Sequence, residues 1–324
     1  YSYDLDLNTS FIGEDNLYVG IETGNDSANV DFSLDSSGGG ADILSVTSMY
    51  YRFPLGEYDI AVGPILDSDD LMPTTTSKYS DSFYFGSEYS LDSNFFAKQG
   101  TGAGFAVART FDNGINASGS IIGTGASTAS GILTEEGNDI LTLSLGYDAD
   151  NYGGGIIYQR SDSLCVVVDN FADLCNEFGI NALIDWGYSA TTLGAYYSPG
   201  EKTTLSVTST FIDASVQGAS IDTVNDYQFA VDRELGNGTL SASWKTFPFY
   251  RIPDLNGTEV NSDELGSYTE IYYTYDVNDS FSITPGIAFA MPNHDADDIV
   301  ASGEDLGFFL LERTVIGVGA TFKF

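Results

Sequence analysis

Read back from its carboxyl end, the chain alternates. Phe324, Phe322, Ala320, Val318 and Ile316 fall on one parity, and Lys323, Thr321, Gly319 and Gly317 on the other. A strand turns successive side chains to opposite faces, so Thr314–Phe324 predicts a strand with one apolar face and one polar or small face. The opening has the same period: Tyr1, Tyr3, Leu5, Leu7, Thr9 and Phe11 alternate with Ser2, Asp4, Asp6, Asn8 and Ser10. Between the two ends the pattern predicts strands at Leu17–Ile21, Val30–Leu34, Met49–Phe53, Tyr58–Pro64, Phe105–Phe111, Ile115–Ile121, Leu141–Tyr147 and Tyr152–Tyr158. Further on it predicts Thr203–Phe211, Tyr227–Val231, Leu240–Trp244, Tyr268–Asp276 and Phe281–Ala290. Ile180–Tyr197 changes parity at Ser189–Ala190 and reads as two short strands or as one with a bulge. Taken as one, it brings the expected total to about sixteen, within a range of about 14 to 18.

With that count the connections alternate between short and long. The short ones are Val277–Ser280, Leu235–Gly238, Pro199–Lys202, Asp148–Asn151, Asp112–Gly114, Pro54–Glu57 and Gly24–Ser27. The long or variable ones include Asp67–Gly102, Ser161–Gly179, Phe247–Gly266 and Met291–Arg313. An apolar strand face can cover a soluble core or meet lipid. Short turns at one rim and long loops at the other, with an even strand number, favour a transmembrane antiparallel β-barrel, since a sandwich has no reason to segregate its loops. The expected fold class is therefore all-β, one barrel domain over residues 1–324.

Composition agrees with frequent turns and aromatic strands: 36 Gly, 21 Tyr and 21 Phe, against 2 Trp, 3 Met and 8 Pro. No apolar run nears the roughly 18 residues of a membrane-spanning helix. A barrel strand crosses in about 9 to 11 tilted residues, so this leaves a barrel open. The net charge of −36, from 47 acidic and 11 basic residues, argues against nucleic acid as a partner. It places the acids mainly on solvent-facing loops, because an unpaired buried carboxylate is costly.

Little in the chain suggests catalysis. It has one histidine and neither Gly-x-Ser-x-Gly nor His-Glu-x-x-His, so no enzyme activity and no cofactor are expected. Cys165 and Cys175 suit a small disulfide-closed loop better than a zinc site, and hence an oxidising compartment; two free buried thiols are the alternative. His294, Asp295, Asp297 and Asp298 offer hard ligands for a cation, but without calcium-loop spacing they read first as a solvated acidic loop. Gly38-Gly39-Gly40-Ala41-Asp42 is a single copy of a pattern that binds calcium only in repeats.

Leu5–Asn25, which includes Asn8-Thr9-Ser10-Phe11-Ile12-Gly13-Glu14-Asp15, resembles the first barrel hairpin of the cyanobacterial outer-membrane porins. Ser282-Ile283-Thr284-Pro285-Gly286, then Pro292-Asn293-His294-Asp295-Ala296-Asp297-Asp298-Ile299-Val300, then the terminal Thr-Phe-Lys-Phe, follow in that family's order. The resemblance implies a passive channel in a Gram-negative type of cell outer membrane, usually a homotrimer, sometimes described as an iron-uptake or carbohydrate-type porin. Its partners would be outer-membrane lipid and lipopolysaccharide, together with the small solutes and ions it passes. Such porins usually carry an upstream S-layer-homology domain that grips peptidoglycan; that domain is expected but does not occur in this sequence. Terminal Phe324 matches the signal read by barrel-insertion machinery.

By the same resemblance, Asp67–Gly102, counted as the third long-side connection, folds into the barrel and narrows the pore. It carries Asp67, Asp69, Asp70, Asp81, Glu88 and Asp92 against Lys78 and Lys98, a net of −4. Carboxylates ringing a constriction would favour cations, whereas acids facing bulk water would not. Arg52, between outward-looking Tyr51 and Phe53, is expected on the lumen wall or snorkelling near a rim. The expected function is passive diffusion of small hydrophilic solutes and inorganic ions with a cation lean. The alternatives are an outer-membrane anchor with a nearly shut pore and a secreted soluble β protein.

Overall fold

The structure, a computed structural model, describes residues 2–24, 44–79, 100–124, 131–133, 139–161, 186–216, 219–247, 266–291 and 313–322. These residues form fifteen strands and no helix: β1 (Ser2–Thr9), β2 (Asn16–Gly24), β3 (Ser45–Leu55), β4 (Tyr58–Asp67), β5 (Thr101–Thr110), β6 (Ile115–Gly123), β7 (Asp139–Asp148), β8 (Tyr152–Ser161), β9 (Trp186–Gly200), β10 (Thr203–Val216), β11 (Ala219–Leu235), β12 (Gly238–Phe247), β13 (Gly266–Asn278), β14 (Phe281–Met291) and β15 (Arg313–Phe322). They make one sheet whose spatial order is the order of the chain, each strand antiparallel to its sequence neighbour.

One expected strand does not take its place. β2 pairs directly with β3, from Asn16↔Arg52 to Glu22↔Ser45, so nothing stands between them in the sheet. The predicted strand at Val30–Leu34 rested on three alternating residues and the turn at Gly24–Ser27 on its Gly-Asn-Asp-Ser run; 25–43 lie outside the described residues. The first short turn is instead 10–15, and Gly24 stands at the opposite rim. This renumbers the rims: 10–15, 56–57, 111–114, 149–151, 201–202, 236–237 and 279–280 share one edge, and the long connections the other. The exception is 217–218, where β10 and β11 run on for 14 and 17 residues as one tall hairpin. Asp67–Gly102 is thus the second, not the third, long-side connection among the described strands. β9 pairs with β10 from Trp186 to Tyr197 without a bulge, so Ile180–Tyr197 is regular where described. β1 and β15 run in the same direction, so an antiparallel closure would need an oppositely directed strand between them.

The faces of the sheet are inverted relative to a soluble protein. On β7, Leu143 and Leu145 are 46% and 53% exposed while their neighbours Thr142 and Ser144 are buried. Val207 and Phe229 are exposed where Thr208 and Gln228 are buried. A strand surface pays no penalty for leucine outward and threonine inward only when the outside is hydrocarbon and the inside supplies hydrogen bonds. Near the short-turn rim the outward positions become aromatic: Tyr58, Tyr147, Tyr152, Tyr197 and Tyr275 are all exposed, as in the girdle at a membrane–water boundary. Arg109 on the same level ion-pairs with Glu57 and lies over the Phe111 ring at 4.3 Å, its charge kept at the polar edge.

Candidate pore-lining site

The inward face is organised by the stretch that leaves β4. The turn at 67–70 is closed by Met72 N–H donating to Asp69 C=O at 2.8 Å and by Asp67 N–H donating to Asp70 Oδ2 at 2.7 Å. Ser120 Oγ of β6 then donates to Ser68 C=O at 2.8 Å. Thr74 Oγ1 lies 2.9 Å from Asn116 Oδ1 on β6 and 2.7 Å from Ser144 Oγ on β7. Lys78 N–H donates to Ser206 Oγ on β10 at 3.1 Å, and the Tyr79 hydroxyl donates to Glu270 Oε1 on β13 at 2.8 Å. Tyr79 also meets Tyr272 edge-on, with ring centroids 6.2 Å apart. At the stretch's other end Tyr50 of β3 hydrogen-bonds Asp70.

Asp70 and Tyr79 thus touch strands ten positions apart in the sheet. In a flat sheet that separation is about 48 Å, and side chains stand perpendicular to the plane. Nine residues of extended backbone reach about 32 Å at most, and this stretch does not run straight. The sheet therefore curls around it, polar face inward.

Of the predicted site residues, the structure gathers Asp67, Asp69 and Asp70 where the stretch enters. Burial, with Asp67 and Asp69 adding like charge, pushes the Asp70 carboxyl up to about 7 against the hydrogen bonds it accepts from Asp67 N–H and Tyr50. Lys78 lies deeper, its Nζ 4.1 Å from the Tyr196 ring centroid. The Tyr196 hydroxyl donates to Asp148, whose other oxygen accepts from Asn116 Nδ2 at 2.8 Å. Arg52 is on the inward parity near the short-turn rim and pairs with Asp59 on the next strand at 2.9 Å. Both partners are close to half exposed, so the pair contributes little stability, about 0–1 kcal/mol. Asp6 adds a carboxylate to the inward wall of β1, where it accepts the Tyr18 hydroxyl at 2.7 Å. Asp81, Glu88, Asp92 and Lys98 lie outside the described residues, as do Cys165, Cys175, His294, Asp295, Asp297 and Asp298. Among the described residues no group of three or more His, Cys, Asp or Glu could hold a metal ion.

Sequence reasoning missed Thr74, Thr76, Tyr79, Glu270 and the strand glycines beneath them. The signals were the hydroxyl run Thr74-Thr75-Thr76 and the run Gly153-Gly154-Gly155 inside a strand, where glycine marks a close backbone approach. It also left unexplained why the Asn8–Asp15 stretch has its composition. Asp15 accepts hydrogen bonds from Ser10 Oγ at 2.6 Å, Phe11 N–H at 3.0 Å, Ile12 N–H at 2.8 Å and Tyr51 Oη at 2.6 Å. Gly13 sits at φ +92°, and its N–H donates to Ser10 Oγ. Burial alone would raise the Asp15 carboxyl, but the Ser10, Tyr51 and Ile12 donors outweigh it and hold the carboxyl far below its ordinary range. Ser10, Phe11, Ile12, Gly13 and Asp15 of the motif therefore each have a place in one short turn.

No protein-family model matches the sequence, and no curated protein does either. Solved structures do match in shape. An anion-selective porin from Comamonas acidovorans aligns at a TM-score of 0.59 with 12% identity, over 90% of this chain and 79% of that one. OmpT, an outer-membrane protein of Vibrio cholerae, aligns at 0.58 with 10% identity, over 99% and 88%. A variant of the Rh. blastica porin aligns at 0.53 with 12% identity, over 100% and 89%. The fold is that of an outer-membrane porin barrel. At these identities the likeness is one of architecture, and the porin-type barrel's chemistry has to be read from its own residues.

Proposed function

We propose that this porin-type barrel is a channel of the Gram-negative outer membrane through which small hydrophilic solutes and inorganic ions diffuse passively, with a lean toward cations. The observation that carries the reading is the inverted wall: leucines and aromatics outward, hydroxyls and amides inward, with a hydrophilic stretch folded against the inner face. Asp67, Asp69 and Asp70 at the entry of that stretch, Asp6 on the wall and a net charge of −36 favour cations at the mouth. Planar-bilayer conductance with a reversal-potential measurement across a salt gradient tests both parts. Absence of conductance would overturn the channel, and anion preference would overturn the selectivity.

A second reading, an anchoring barrel whose passage is nearly shut, draws on the depth of the packing, since Thr142, Gln159, Thr192 and Thr208 of the inner wall are all at most 3% exposed. A conducting parent chain excludes it. Membership of the cyanobacterial porins and a homotrimeric state rest on the resemblance of the Asn8–Asp15 turn and the carboxyl-terminal segments. Cross-linking in detergent reads the oligomer.

A further inference from the structure

The stretch that crosses the lumen is sunk into the wall rather than laid on it. Gly146, Gly155 and Gly194 occur on β7, β8 and β9, and the register makes them direct neighbours: Gly146↔Gly155 and Gly155↔Gly194. Together they form a row three strands wide on the inward parity with no Cβ. Thr74 and Thr76 lie in this row, 3% and 0% exposed. A Cβ at Gly146 would stand 2.9 Å from Thr74 Cγ2, one at Gly194 would stand 2.5 Å from Thr76 Cβ, and one at Gly155 would fall within 3.0 Å of Thr74 Cγ2. None of the three glycines has the positive φ that would by itself require glycine. Their lack of a side chain is used for room. Beside the row, Asn116 and Ser144 hydrogen-bond Thr74 and hold it down.

Resting on the channel reading above, we propose that this glycine row sets the bore of the passage. It does so by fixing how far the Thr74–Thr76 strap stands out from the wall and which of its side chains face the solute. With Thr74 and Thr76 turned into the row, Thr75 and Ser77 are left half-buried and Lys78 exposed. The permeating solute therefore meets hydroxyls and one ammonium on the strap. Raising the floor of the row pushes the strap into the lumen and narrows the passage.

Gly155→Ala in the full chain tests this, read against Gly155→Ala combined with Thr74→Ser. The serine deletes the Cγ2 methyl that lies nearest the new Cβ and keeps the hydroxyl that bonds Asn116 and Ser144; the Leu145 carbonyl oxygen, 2.9 Å from that Cβ, is the same in both variants. The expected result is a lower single-channel conductance for Gly155→Ala and recovery of most of the loss in the double variant. Equal conductance of parent and Gly155→Ala, or no recovery in the double variant, overturns the proposal. The comparison is restricted to chains that fold, judged by the heat-dependent gel shift of an intact barrel.

A second readout does not need current. Thr76→Cys, placed in a chain carrying Cys165→Ser and Cys175→Ser, is expected to resist a hydrophilic maleimide and to become reactive when Gly194→Val is added. Ready labelling without Gly194→Val would show that the strap is not in the row, whether or not the barrel conducts. A parent chain that stays silent in the bilayer, while the Thr76→Cys variant lacking Cys165 and Cys175 stays protected from maleimide, would instead fault the channel reading alone.

Discussion

Arginine placed on the outward wall measures whether that wall faces hydrocarbon, and β7 gives the depth scale. Its short-rim turn begins at residue 149, and Tyr147, Leu145, Leu143 and Leu141 point outward from it in turn. With a rise of about 3.3 Å per residue and a strand tilt near 40°, Tyr147 stands about 5 Å and Leu143 about 15 Å above the turn. If the apolar band begins at the Tyr147 girdle and is about 25 Å tall, its midplane lies about 17.5 Å up, about 2.5 Å beyond Leu143. Leu143→Arg is therefore expected to cost about 2–4 kcal/mol and Tyr147→Arg about 0–1 kcal/mol. The measurement is equilibrium folding into lipid vesicles across a denaturant series, comparing parent and each variant. Equal costs at the two positions, or a smaller cost at Leu143, would refute the lipid-facing assignment, because only a depth-dependent solvent distinguishes two exposed outward positions on one strand.

Three further outcomes follow from the inner face and the turns. Asp70 should bear a charge above about pH 7 and lose it below; its raised value means that ionisation costs folding stability as pH rises from the ordinary carboxylate range. Cation preference, read as reversal potential, should accordingly weaken between pH 8 and pH 6 (about one unit either side), and Asp70→Asn should flatten that dependence; an unchanged profile in the variant would reject the assignment. Tyr79→Phe removes the donor to Glu270 at the strap's far end and should destabilise the barrel by about 1–3 kcal/mol while raising open-channel noise; a quiet channel of parental stability would show that the bond does not hold the strap. Gly13→Ala and Asp15→Ala should both lower the thermal unfolding temperature and expose the β1–β2 turn to protease, the first through φ +92° and the second through loss of the acceptor for Phe11, Ile12 and Tyr51. Parental protease resistance in both would remove the turn's structural role.

What is local was legible in the order of the residues. Alternation is a property of neighbouring residues, so the strands at β1, β7, β8, β10 and β15 could be read from parity, and the turns around Gly56, Gly114 and Gly236 from their glycines. The lack of a long apolar run argued against a helical span, and the net charge of −36 against nucleic acid, on simple solvation grounds. Parity alone left open which face looks outward, since leucines opposite threonines satisfy either a soluble core or a bilayer. The assembled sheet, with Leu143 exposed and Thr142 buried, distinguishes the two.

Long-range geometry decided the rest as well. The direct pairing of β2 with β3 left no place between them for the strand that three alternating residues had suggested. Tyr79 finds Glu270 at a separation of 191 residues, and no pattern in the chain encodes that meeting. The glycine row exists only because the register aligns Gly146, Gly155 and Gly194, three residues unremarkable one at a time, beneath a segment that leaves the sheet three strands earlier. Register and close approach are properties of the assembled backbone, fixed by which surfaces must be excluded from lipid and which hydrogen bonds must be met inside.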